Sequence, residues 1–405
     1  MKSAAKISAP ASAAGNVSLE GMHATVAVPT HDEGFWRQWR AFVGPALLVS
    51  VGYMDPGNWG TDLQAGAQFK YGLLWVIALA SAMAIVLQVI AARLGVVTGK
   101  DLAQCSRDWF PSWARWPNWL LCEVAIGACD LAEVLGSAVA INLMFHIPLL
   151  WAVIITGLDV LLLLGLQRFG MRTIEAVVLL LVATIGVCYF IEIFVLPATR
   201  PEFAEMGRAL IAPALRRRGM LYVAMGIIGA TVMPHNLYLH SALVQSRRLQ
   251  QDEASVRNAV RFNTIDSTAA LCVAFFVNAA ILVLAAMVFF GRTSVALPGG
   301  QLVTFSPESD WIRIAYLTLA PLLGTFAASA LFAVALLASG QSSTMRPPVS
   351  LASGLTWSMI ARSVRVASSV TRMDWYMAPP CRLSLRRRPA RPPAAIPAGP
   401  RRPWR

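Results

Sequence analysis

Asp55-Pro56-Gly57-Asn58 and Met233-Pro234-His235-Asn236 each interrupt, near its middle, an apolar stretch long enough to cross a bilayer. Proline removes a backbone donor and glycine tolerates unusual dihedrals, so together they unwind a helix. Lipid cannot satisfy the carbonyls that such a break exposes, so the break must face protein or a watery cavity. Paired broken helices are the best sequence pointer to the binding site of a secondary transporter. The breaks carry a carboxylate, two amides, a thioether and an imidazole, a set that points to an ion site. The pattern is that of a transporter, not an enzyme.

Composition agrees. The chain has 405 residues, 57% of them hydrophobic and only 14% charged, against about 25% charged in a soluble domain. That is an all-α polytopic membrane protein. At about 20 apolar residues per span, eight spans fall near 42–66, 73–97, 119–145, 148–166, 174–197, 220–245, 265–291 and 313–340. Six cysteines (Cys105, Cys122, Cys129, Cys188, Cys272 and Cys381) are scattered, with no CxxC pair and no zinc spacing. A disulfide scaffold and a structural zinc site are therefore not expected. None of His23, His31, His146, His235 and His240 forms an HExxH site. No cofactor is expected.

Three regions follow: a tail over 1–35, a transmembrane domain over 36–344 and a second tail over 345–405. The first tail is Ala/Ser-rich and has no apolar signal core, so it reads as disordered and not as a signal peptide. Span one is entered through Phe35-Trp36-Arg37-Gln38-Trp39-Arg40, an aromatic and basic belt suited to an interface. Lys100, Arg107, Arg115, Arg168, Arg172, Arg247, Arg248, Arg257 and Arg261 crowd alternate loops. The positive-inside rule then puts the amino terminus in the cytoplasm, with Arg216-Arg217-Arg218 the exception.

The net charge of +13 is uneven. Twelve arginines against Asp374 give residues 345–405 a charge of +11, leaving +2 for residues 1–344. Beyond Thr344 proline becomes frequent and hydrophobic periodicity ends, as in a frameshifted or fused tail. Such a basic tail admits a nucleic-acid partner, but none is expected.

Three constellations carry chemistry. Asp55 and Asn58 can point a carboxylate and an amide oxygen into one cavity; the alternative is a structural kink. Met233, with a backbone carbonyl near Ala230, would complete a shell that favours transition metals, because magnesium and calcium prefer all-oxygen ligands. The alternative is that Met233 only packs. Asp130 and Glu133 share a helical face at i, i+3, with no basic neighbour in their span. Buried carboxylates suit proton carriage, and His235 can join the relay. A polar stripe along a vestibule is the alternative. Asp159, Glu192, Asp266 and Asn278 are weaker candidates for packing or vestibule roles, and Gln341 closes span eight near the pathway.

On Asp-Pro-Gly-Asn at 55–58, Met-Pro-His-Asn at 233–236, Asp-Leu-Ala-Glu at 130–133 and Ala-Ser-Gly-Gln-Ser-Ser-Thr at 338–344, the chain resembles the Nramp family of proton-coupled divalent metal transporters, in its bacterial manganese-uptake branch. The resemblance covers about residues 35–344. It implies a leucine-transporter-type fold of two inverted five-helix repeats, with spans one and six unwound and the second repeat incomplete here. It implies metal ligation by Asp55, Asn58, Met233 and the Ala230 carbonyl. It also implies proton handling by Asp55, Asp130, Glu133 and His235. The expected partners are manganese or iron ions as cargo, protons as coupling ions and the lipid of a bacterial inner membrane. Two other readings remain at this point: a nontransporting remnant, and a same-fold carrier of an organic substrate.

Overall fold

Helices start afresh at Pro56 and Pro234, whereas the helix that begins at Ser112 runs on through Pro117 in its second turn. In chain order the helices are α1 (Phe35–Phe42), α2 (Pro45–Ser50), α3 (Pro56–Phe69), α4 (Leu74–Thr98), α5 (Leu102–Trp109), α6 (Ser112–Phe145), α7 (Leu149–Leu166), α8 (Met171–Phe190), α9 (Phe203–Ile211), α10 (Met220–Thr231), α11 (Pro234–Leu243) and α12 (Glu253–Phe289). This computed structural model describes residues 23–29, 33–166, 171–195, 201–215, 217–250, 252–296, 302–304 and 311–316. Most of span eight, the 338–344 motif and the basic tail lie outside the described residues, as do the side chains of Asp159 and Glu192.

Both interruptions read from the sequence are present. Span one is α2, a tight 3-10 turn over Val51–Met54, extended Asp55, then α3. Span six is α10, non-helical Val232, extended Met233, then α11. By contrast α4 carries no proline and ends where Gly99 adopts φ +64°, the left-handed geometry that closes helices. Two helices begin earlier than their apolar cores. α6 starts at Ser112, where the span was expected from 119, and α12 starts at Glu253, where it was expected from 265. Hydrophobicity marks the stretch that meets lipid, whereas the helical hydrogen bonds continue into the polar flank. Four unbroken or resumed helical segments, Leu74–Thr98, Ser112–Phe145, Met220–Ser246 and Glu253–Phe289, are long and apolar enough to cross a membrane among the described residues. Exposed Trp113, Trp116 and Trp119 ring the start of α6, as interfacial aromatics do.

The core forms around α12, which packs on α2, α3 and α4. Gly66 lets α3 approach closely: a Cβ there would lie 2.2 Å from the Leu282 carbonyl oxygen. Trp59 is fully buried and tilts against Tyr189, with ring centroids 5.3 Å apart. At the far end of α3, Lys70 pairs with Glu202 and Glu205 beside α9. Its hydrogen bond holds the Glu205 carboxyl below the usual carboxylate range.

A polar clamp grips the junction between α1 and α2. Arg247 donates to the carbonyls of Ala41 (3.1 Å) and Val43 (2.7 Å), and to Glu175 of α8 (3.0 Å). Asp266 of α12 accepts the backbone N–H groups of Gly44 (3.3 Å) and Ala46 (3.1 Å). Gly44 has φ +139° and lies so close to Glu175 that a Cβ would sit 2.1 Å from Oε1. Arg247 had been counted among the loop cations, but its side chain is 1% exposed. The same segment, Arg247–Arg248 (β2), pairs in parallel with Val26–Ala27 (β1). That gives order to part of the stretch read from composition as a disordered tail. A hairpin, Ser294–Ala296 (β3) with Leu302–Thr304 (β4), follows α12.

Arg247→Leu should remove the cation that faces buried Glu175 and cost about 3–5 kcal/mol. The double variant Arg247→Leu/Glu175→Leu should recover much of that loss. Thermal unfolding in detergent checks both, and a single variant melting with the parent would contradict the clamp.

Candidate functional site

The site begins with carbonyls that the two helix breaks leave without a helical donor. In an unbroken helix the Ala230 carbonyl would accept the N–H of residue 234, but residue 234 is proline. The carbonyl instead accepts a hydrogen bond from Asn58 Nδ2 at 3.2 Å. At the first break, side chains supply the missing donors. Asn278 Nδ2 donates to the Tyr53 carbonyl (2.7 Å) and Trp59 Nε1 to the Met54 carbonyl (3.1 Å). Buried backbone acceptors must find such partners, and these hold the unwound segment in shape.

Asp55 caps α3. Its Oδ1 accepts the Asn58 N–H at 2.9 Å and Asn58 Nδ2 at 2.6 Å. Pro56 occupies the first helical position, where a missing N–H costs nothing. The positive end of the α3 dipole favours the carboxylate, while α10 ends facing it with its negative end. Asn58 is fully buried, and Thr231 Oγ1 donates to its Oδ1 at 3.0 Å. The Asn58 NH2 group therefore bridges Asp55 and the Ala230 carbonyl, as a small cation between two oxygens would. With the amide turned over, its oxygen would face the same point.

The second break joins through α6. Met233, 5% exposed, precedes α11, and its Sδ lies 3.8 Å from Cys129 Sγ. The same Sγ is 3.8 Å from Asp55 Oδ2 and 3.6 Å from Glu133 Oε1. Cys129, Glu133 and Gly136 stand at i, i+4 and i+7, one stripe of the helix. Gly136 seats that stripe against the break, because a Cβ there would fall 2.3 Å from Pro56 Cβ.

Of the residues expected from the sequence, Asp55, Asn58 and the Ala230 carbonyl touch directly. Met233 and Glu133 meet them through Cys129. Asp130 is half-buried one residue along, and His235, buried, opens α11; both flank the cluster. Asp266 and Asn278 hold the first helix from α12. Among the described residues, no group of three or more His, Cys, Asp or Glu is arranged to hold a metal. The converging donors are of mixed kind, with amide, carbonyl and thioether beside one carboxylate.

Sequence reasoning missed several residues. Cys129 was passed over as one of six scattered cysteines. Asp62, 1% exposed, has no hydrogen-bond partner on either oxygen. It follows Asp55 by seven residues on the same face of α3, and that spacing was the available signal. Tyr53, Gln88 and His240 form a buried relay: Gln88 Nε2 donates to Tyr53 Oη (2.8 Å), and Gln88 Oε1 meets His240 Nδ1 (2.9 Å). Nothing in spacing joins those three.

Residues 46–376 match the family described as Natural resistance-associated macrophage protein-like. The match runs past Thr344. A divalent metal cation transporter, MntH, of Nostoc sp. is 51% identical over 333 residues, covering 81% of this chain and 71% of the relative. The protein of that name from Listeria innocua is 46% identical over 332 residues, covering 81% and 70%. The crystal structure of a histidine-to-alanine mutant of the Eremococcus coleocola manganese transporter superposes with a TM-score of 0.74 at 35% identity, covering 89% of this chain and 77% of that one. A closed nucleobase-cation-symport-1 family transporter reaches TM-score 0.54 at 14% identity, over 83% and 72% of the two chains, and so shares the fold alone. The architecture is the leucine-transporter-type fold with its first and sixth spans broken, and the chain belongs to the Nramp family.

Proposed function

We propose that this chain takes up divalent transition-metal cations, manganese or iron, across a bacterial inner membrane by alternating access, with protons as the coupling ion. The observation that carries this reading is the convergence of Asp55, Asn58, the Ala230 carbonyl and Met233 where two broken helices meet. Relatives named as divalent metal cation transporters and manganese transporters support it.

In this reading the cation takes the place of the Asn58 NH2 group. It gains Asp55, the Ala230 carbonyl and, with the amide turned, the Asn58 oxygen. Thr231, which now holds that oxygen, releases it. Met233 supplies a thioether, a donor that hard magnesium and calcium gain little from. The donors are buried, so a metal must shed much of its water to enter, and the compensation for that loss sets the preference.

Protons act beside the metal. A cation at Asp55 and a proton on it exclude each other by charge, so metal entry favours proton departure. Glu133 is a second carboxylate, reached through Cys129, with Asp130 and His235 flanking it. The amino terminus is cytoplasmic, which places the α1–α2 clamp on the inner side. Opening inward requires releasing the contacts of Arg247 and Asp266.

The test is manganese uptake into proteoliposomes with and without an inward proton gradient. Gradient-stimulated uptake is expected, and uptake indifferent to both gradient and metal identity would overturn the reading. Met233→Ala should lower the preference for manganese over calcium about tenfold, roughly 1.4 kcal/mol; an unchanged ratio in competition assays counts against thioether ligation. Glu133→Gln should flatten the acid stimulation of uptake more than it weakens metal binding. Equal loss of both would make Glu133 a structural residue.

A further inference from the structure

Neither the broken-helix motifs nor the carboxylate pair accounts for Cys129. Its sulfur lies 3.8 Å from Met233 Sδ and 3.8 Å from Asp55 Oδ2. We propose that Cys129 Sγ is a further, specificity-determining metal ligand that gives this site a second sulfur and raises its preference for thiophilic divalent cations over manganese. This rests on the reading of the two breaks as a cation site.

The spacing is that of ligands around one ion. Two donors each about 2.3 Å from a common tetrahedral centre stand about 3.8 Å apart. A hydrogen-bond reading explains less: a thiol has one weak donor, yet three acceptors surround it, with Glu133 Oε1 at 3.6 Å the third. The sulfur is held there by the helix that carries it. Gly136, two turns on, has no room to retreat from Pro56, so α6 presents Cys129 directly to the first break. Buried Asp55 and Met233, 3% and 5% exposed, arrive from the other two sides.

Soft thiolate and thioether ligands select soft metals. A second sulfur beside Met233 shifts the ranking further from manganese toward cadmium. On binding, the S–H bond is exchanged for an S–metal bond, and the proton passes to the Glu133 carboxylate, whose Oε1 lies 3.6 Å away. The chemistry needs no oxidant or further reactant.

The experiment titrates the purified full chain, and its Cys129→Ser variant, with cadmium and with manganese. Heat of binding and the sulfur-to-metal charge-transfer absorption are read together. The parent should develop the ultraviolet band at one cadmium per chain, and Cys129→Ser should lose it, leaving the remaining cysteines silent. The cadmium-to-manganese affinity ratio should fall at least tenfold in the variant. Cadmium binding without the band, or a variant that weakens both metals equally, overturns the proposal while leaving the metal site standing. A parent chain that binds neither metal removes both.

Discussion

The backbone acceptors left without helical donors at the two breaks are the constraint on which the rest of the structure depends. Lipid offers such groups no donor, so each carbonyl must be met by a side chain, an ion or cavity water. Asn278 and Trp59 meet the first break. Asn58 meets the second by reaching across to Ala230 while it also binds Asp55. One buried amide thus ties both breaks together, and in the proposed function the cation replaces its NH2 group. The same constraint explains why Asp55 tolerates burial: it serves as the helix cap that α3 requires.

The site is coupled to the rest of the chain by polar contacts, not by apolar packing alone. From the first break, the Tyr53 hydroxyl leads through Gln88 to His240 on α11, so both broken helices share one network. A few turns away, Arg247, Glu175 and Asp266 hold the α1–α2 junction. Such networks have discrete arrangements, since a half-broken buried ion pair is costly. In the proposed cycle, this is what lets a change at the metal move a half-helix as a unit.

Much of the fold was legible because proline and glycine act locally. Pro56-Gly57 and Pro234 mark breaks wherever the chain goes, and the apolar stretches mark the spans. Asp55, Asn58 and Met233 were readable for the same reason, since each belongs to a break. The approach of Cys129 to Asp55 and Met233 was not, because it comes from Gly136 seating α6 on Pro56, a contact 80 residues apart in the chain. Arg247 misled, because a loop arginine is ordinarily solvated, and only the positive φ of Gly44 brings Glu175 and two carbonyls around it. The helix ends of α6 and α12 were missed because hydrophobicity reports lipid contact and not hydrogen bonding.

The central claim is that the two breaks form one cation site with Asp55 as its charged ligand. Calorimetric binding of manganese to the purified chain and to Asp55→Ala tests it most directly. The account predicts one manganese per parent chain and an affinity at least about 100-fold weaker in the variant, roughly 2.7 kcal/mol. Equal affinities in the two proteins would contradict it.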